Sequence, residues 1–181
     1  LNLQGLSCVV GNRRQARHLT QLALAAAERQ QYPRGHAYAE LNQCWLAYYG
    51  SEAEPSSAAL QQYFHQCYDL EGSMEVAALQ GAYASRRGEF AEAEQFFFLA
   101  RKLAAQIPDS LHKFMLYARL GVDALNRGDT QEGPRNFLLA LDIAERFGTP
   151  AHRVNSLSNL ASSQHDLGND EDAIPLLYEA L

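Results

Sequence analysis

Apolar residues return along this chain every three or four positions, with polar residues between them, which is the period of an amphipathic helix and not of a strand. From Arg13 to Gln30, Ala16, Leu19, Ala23 and Ala27 fall on one side, and Arg17, Gln21 and Glu28 on the other. The same spacing predicts helices over His36 to Tyr49 (Tyr38, Leu41, Trp45, then Tyr48 or Tyr49) and from Ala59 through Tyr63 to about Leu70. It predicts further helices over Met74 to Arg87, Glu89 to Gln106 and Leu111 to Arg127, a return through Phe137, Ala140, Leu141 and Ala144 to Phe147, and a helix with Val154, Leu157, Leu160 and Ala161. The segment Leu1 to Val10 is compatible with the last turns of a helix whose start is missing. Tyr32-Pro33-Arg34-Gly35 reads as a stop, and Glu71-Gly72-Ser73 as a start.

The breaks between helices are themselves periodic. Gly11, Gly50, Gly88, Gly128 and Gly168 are separated by 39, 38, 40 and 40 residues. Superposed on those glycines, the units share a small residue at +5, a larger apolar one at +9 and Ala at +12. These are Ala93, Phe97 and Ala100 in one unit, Gly133, Phe137 and Ala140 in the next, and Ala173, Leu177 and Ala180 in the last. Eight residues before the glycine stand Gln80-Gly81, Leu120-Gly121 and Leu160-Ala161. Small residues at such spacing let two helices approach closely, so each unit is predicted to be a helix hairpin. Gly50 is the irregular rung, because the Ser51 to Ser57 linker adds about four residues. Pro134 and Pro175 predict helices that begin late or bend.

These residues resemble the tetratricopeptide repeat family, whose Leu-Gly in the first helix and Ala-x3-Phe-x2-Ala in the second are matched by Leu120, Gly121, Ala93, Phe97 and Ala100. The likeness covers nearly all 181 residues. It departs in three ways: the ladder steps by 38 to 40 where the family's period is about 34; the early aromatic is replaced by Ala39, Ala77 and Leu157, only Tyr117 keeping it; and the closing proline is displaced to Pro108 and Pro150. A period near 40 is also that of HEAT or armadillo arrays, which stand as the second fold. Ala140-Leu141-Asp142-Ile143-Ala144-Glu145 and Ser158-Asn159-Leu160 are similar to the long variants in bacterial transcription regulators and in sensory proteins with cyclase outputs.

The resemblance implies an all-α fold, a right-handed superhelical solenoid of antiparallel helix hairpins. It implies a single repeat domain over 1–181, with a partial unit 1–30 and units 36–70, 73–106, 110–147 and 150–181. It also implies that the first helix of each repeat lines a concave wall. Carried over by register, the groove residues are Glu40, Cys44, Tyr48, Arg86, Arg119, Val122, Asn126, Asn155, Ser158, Ser162 and His165, apolar near Val122 and polar from Asn155 onward. A wall of that kind suits an extended peptide. The family's carboxylate clamp is not matched, since only Arg86, Asn126 and Arg119 come near it.

Composition narrows the function. The net charge is −6, and no basic run exceeds the pairs Arg13-Arg14 and Arg86-Arg87, which argues against nucleic acid as a partner. Cys8, Cys44 and Cys67 lack a CxxC pair and read as reduced, partly buried thiols of a cytoplasmic protein. His65-x-Cys67 is too little for a metal site, and no cofactor is expected. His165 beside Asp166 and Asp172 has no accompanying nucleophile, so an enzyme is not expected. Phe96-Phe97-Phe98 cannot all face inward on one helix. No apolar run approaches a membrane span. Thirteen Arg against two Lys fit a bacterial source, and a start at Leu1 without Met fits a piece of a longer chain.

The expected role is a non-catalytic module for a protein or peptide partner, in the regulatory region of a larger signalling or transcription-regulatory protein with a diguanylate cyclase or DNA-binding output. The alternative is an effector-sensing domain that takes a small molecule or signalling peptide in the groove. Open solenoid ends offer a route to a homodimer.

Overall fold

The computed structural model describes residues 1–2, 4–5 and 12–181. Gly11, Cys8 and the expected end of a helix before Val10 lie outside the described residues. Among those described, the secondary structure is helical without strands, so the chain is all-α: α1 (Arg13–Arg29), α2 (Pro33–Tyr49), α3 (Ala58–Gln66), α4 (Leu70–Arg86), α5 (Phe90–Ala104), α6 (Leu111–Asn126), α7 (Glu132–Phe147), α8 (Pro150–Asp166) and α9 (Asp170–Glu179). They form two compact units, Leu1–Gln106 and Ile107–Leu181. In the first, α1 packs on α2, α3 touches both α2 and α4, α2 meets α4, and α4 pairs with α5. In the second, α6 packs on α7, α7 on α8 and α8 on α9, while α6 also meets α8.

Six helices end in the same way. A residue in the left-handed region follows each helix: Gln31, Ser51, Tyr68, Gly88, Gly128 and Gly168, with φ of 49°, 57°, 54°, 79°, 76° and 77°. The next amide donates back five residues, Tyr32 to Ala27, Glu52 to Ala47, Asp69 to Phe64, Glu89 to Ala84, Asp129 to Ala124 and Asn169 to Gln164, at 2.8 to 2.9 Å. This is the Schellman closure, which satisfies carbonyls that a helix end otherwise leaves open. Of the four ladder glycines among the described residues, three occupy the left-handed position. At Gly50 the position passes to Ser51, and Gly50 itself has an ordinary φ of −80°. Gln31 and Tyr68 take the same geometry without glycine, so no ladder rung marks them.

Starts differ from expectation at two places. Pro33 is the first residue of α2 and not the end of α1, because a proline at the first helical position gives up an amide that has no partner there anyway. Asp69, not Gly72-Ser73, opens α4: its carboxylate accepts from the Gly72 amide at 3.1 Å, from Arg34 Nε at 2.7 Å and from the Tyr38 hydroxyl at 3.1 Å. Burial pushes this carboxyl up, but the Gly72 amide and then Arg34 outweigh it and hold the group below the usual range. α3 is short, ending at Gln66. α7 begins late, at Glu132, which places Pro134 in its first turn, whereas Pro175 sits inside α9.

The hairpins close on glycine. A Cβ on Gly81 would lie 2.6 Å from Phe97 Cε1, and one on Gly121 2.4 Å from Phe137 Cε1. Phe97 and Phe137 are 2% and 1% exposed, so the rings have no free space to retreat into. Phe97 is thus the inward ring of the Phe96-Phe97-Phe98 run, and Phe98 is exposed. Leu177, at the corresponding place in α9, is 50% exposed.

Gly121→Ala should cost roughly 1 to 3 kcal/mol by overpacking. Chemical denaturation should show Gly121→Ala/Phe137→Leu recovering part of that loss, and equal stability of Gly121→Ala and wild type would contradict the contact. Tyr68 is 88% exposed and loses no packing on truncation. Tyr68→Gly should therefore stabilise by about 0.5 to 1 kcal/mol, read as a higher melting temperature, by relieving its left-handed backbone.

Candidate functional site

Glu40, Cys44 and Tyr48 stand one turn apart along α2, and Arg86 is the last residue of α4, the helix that α2 meets. The Arg86 guanidinium lies over the Tyr48 ring, 3.8 Å from its centroid, and donates to the Tyr48 carbonyl oxygen. That carbonyl belongs to the C-terminal end of α2, where the helix dipole favours a cation. The edge of Tyr83 meets Tyr48 with centroids 5.2 Å apart. Tyr83 is buried, and burial, against the opposing charge of Arg86, pushes its phenol up to about 12. Beneath them, Trp45 Nε1 donates to Glu75 Oε2 at 2.9 Å, with both residues fully buried.

The Cys44 thiol is buried and pushed up to about 11 by that burial, then by the charge of Glu40. It is a packing group and not a nucleophile at neutral pH. Glu40 is half-buried, with its carboxylate 3.6 Å from His36 Nδ1. Cys67, in contrast to the expected partly buried thiols, is exposed at the end of α3.

In the second unit the neighbouring helices α6 and α8 carry the remaining positions. Val122 and Asn126 are exposed on α6, and Asn155, Ser162 and His165 on α8, with Ser158 half-buried. Arg119 is buried, at 9% exposure. Asn155 Oδ1 accepts from Asn159 Nδ2 at 3.3 Å. Below this surface, His152 is buried against the edge of Phe114, and the Thr149 amide donates to its Nδ1 at 3.1 Å. Burial holds this imidazole below its ordinary range, and the bond to Nδ1 requires the neutral ring.

The partner of His165 is Asp170, with Nδ1 and Oδ1 2.6 Å apart, rather than Asp166 or Asp172. The hydrogen bond to Asp170, and then its charge, raise the imidazole above the ordinary histidine value. Both groups are largely exposed, as suits a surface ion pair across the α8–α9 turn.

Register along the chain thus sets Glu40, Cys44 and Tyr48 along α2, with Arg86 meeting Tyr48, in one unit, and places the Val122–Asn126 and Asn155–His165 surfaces on two touching helices in the other. It does not reveal the Trp45–Glu75 bond, which joins residues 30 positions apart. The aromatic–arginine cluster presents the exposed Arg86 guanidinium over the half-buried Tyr48 ring, and the α6–α8 surface offers amide, hydroxyl and methyl groups. Among the described residues, no three His, Cys, Asp or Glu side chains stand close enough to hold a metal. No described helix is long and apolar enough to cross a membrane. No family model, curated protein or solved structure matches the chain.

Because an acid partner favours the charged ring, His165 should stay protonated to a higher pH than a free histidine and release its proton as pH rises through the raised value. Nitrogen-detected NMR titration should show Asp170→Asn moving the midpoint down toward about 6.5. An unmoved midpoint would mean that the pair does not form in solution.

Proposed function

We propose that the chain is a tetratricopeptide-like module, built of hairpins that stack as a right-handed solenoid, and that it binds a protein or peptide without catalysis. Its setting in this reading is the regulatory region of a larger bacterial signalling or transcription-regulatory protein in the cytoplasm. The observation that carries the reading is recurrence: the Gly81–Phe97 contact and the Gly88 closure have counterparts in Gly121–Phe137 and Gly128, each displaced by 40 residues. A hairpin of this kind buries one face only when the next hairpin covers it, and stacked arrays leave their first helices to meet partners.

The exposed faces of α6 and α8 suit that role. Val122 offers apolar area, while Asn126, Asn155 and Ser162 can exchange hydrogen bonds with the main chain of an extended or helical segment. Cys44 is a buried thiol raised above its ordinary value, and the His165 imidazole is engaged by an exposed aspartate.

Selection of a displayed peptide library on the intact protein should enrich sequences that bind with a Kd of roughly 1 to 100 μM. Val122→Asp and Asn155→Ala should each weaken the enriched peptides by about tenfold, or 1.4 kcal/mol, with unchanged thermal melting. Peptides that bind both variants as tightly as wild type would remove the α6–α8 surface from the proposal.

A further inference from the structure

Arg13, Arg14, Arg17 and His18 occupy positions 1, 2, 5 and 6 of α1, a spacing that gathers them on adjacent turns. No acidic residue stands in the first turn of this helix, so two guanidiniums sit at the end where the backbone dipole is already positive. The arrangement is electrostatically unfavourable in the free protein, and it is local, since the chain as a whole carries −6.

These side chains, with Gln21, form one wall of a groove of about 570 Å³. Leu46, Gly50 and Glu52 form the other. Two of the arginines are tethered: Arg13 Nη1 donates to the Tyr49 carbonyl oxygen at 2.7 Å, and Arg17 Nη2 to Glu52 Oε1 at 3.1 Å. Arg14 and His18, one turn apart between them, have no hydrogen-bond or ion-pair partner among the described residues. Three guanidiniums stand with one carboxylate in this open groove, which leaves two positive charges.

We propose that this groove binds a phosphorylated small molecule. A guanidinium presents paired N–H donors that match phosphate oxygens, and tethered arginines lose little freedom on binding. Arg14 receives the phosphoryl group, Arg13 and Arg17 supply the flanking positive field, and His18 and Gln21 offer polar contacts to the rest of the ligand. A nucleic acid or an anionic membrane needs a basic surface many charges long. Here the basic stretch ends after two turns, on an acidic protein, and the groove accommodates a ligand of limited size.

Isothermal titration of the intact protein with inorganic pyrophosphate should give saturable one-to-one binding. Arg14→Gln should weaken it by at least about tenfold and Arg14→Lys, which keeps the charge but not the fork, by less. Arg135→Gln, an exposed arginine on α7, should leave it unchanged, and all three variants should melt like wild type. The proposal is overturned by an absence of binding up to about 10 mM pyrophosphate, or by equal loss in Arg14→Gln and Arg135→Gln. It is also overturned if a phosphoserine peptide, or vesicles containing a phosphorylated inositol lipid, bind while pyrophosphate does not.

Discussion

A hydrogen where other residues carry a methyl group decides how close the helices of each long hairpin can lie. At Gly81 and Gly121 the facing phenylalanine ring occupies the volume that a Cβ would need. The helix axes therefore approach until ring meets backbone, and Ala100 and Ala140, both fully buried, continue the same close seam. Dispersion per contact is small, but a seam without gaps accumulates it along the pair. The turn and the seam are coupled: the Schellman closures at Gly88 and Gly128 fix how many residues separate the ring from its glycine, so a slip by one position would set the phenylalanine against a side chain. A period of 40 residues in the sequence is thus the trace of one packing solution used twice.

How much of this was legible along the chain follows from what each residue type can reveal. Gly88, Gly128 and Gly168 announced their turns because a left-handed backbone favours glycine. Gln31 and Tyr68 adopt that backbone against preference, held by the amides of Tyr32 and Asp69, and nothing in their side chains signals it. Pro33 was readable as punctuation but not as to direction, since proline after a helix and proline at the first position of the next look alike from the sequence. Asp69 lost to Gly72-Ser73 as a starting signal because its two long-range partners, Arg34 and Tyr38, lie more than 30 residues upstream. The short α3 follows the long 51–57 linker, where the repeat register lapses.

For the candidate surfaces the division is similar. Positions counted back from the glycines reach solvent at Val122, Asn126, Asn155, Ser162 and His165, because a helix face is a local property. Burial is a property of neighbours, and so Cys44 and Arg119 fall inside although register treats them like the others. Glu75 is the clearest case. It is an acidic residue inside α4, yet it is fully buried with the Trp45 indole as its donor.

A buried polar pair of this sort constrains the packing of two helices in a way that alanines cannot. An apolar seam tolerates small slides, since one methyl replaces another at little cost, but Glu75 on α4 must meet the indole N–H of Trp45 on α2. Leaving that buried N–H without its partner costs more than the satisfied bond contributes, an asymmetry of about 1 to 3 kcal/mol for a neutral group. Small residues therefore set how near the helices come, and the sparse polar contacts set their register. Neither task needs the outer faces of α6, α8 or α1. Those faces carry Val122, Asn155 and the arginines of the α1 groove without disturbing the seam.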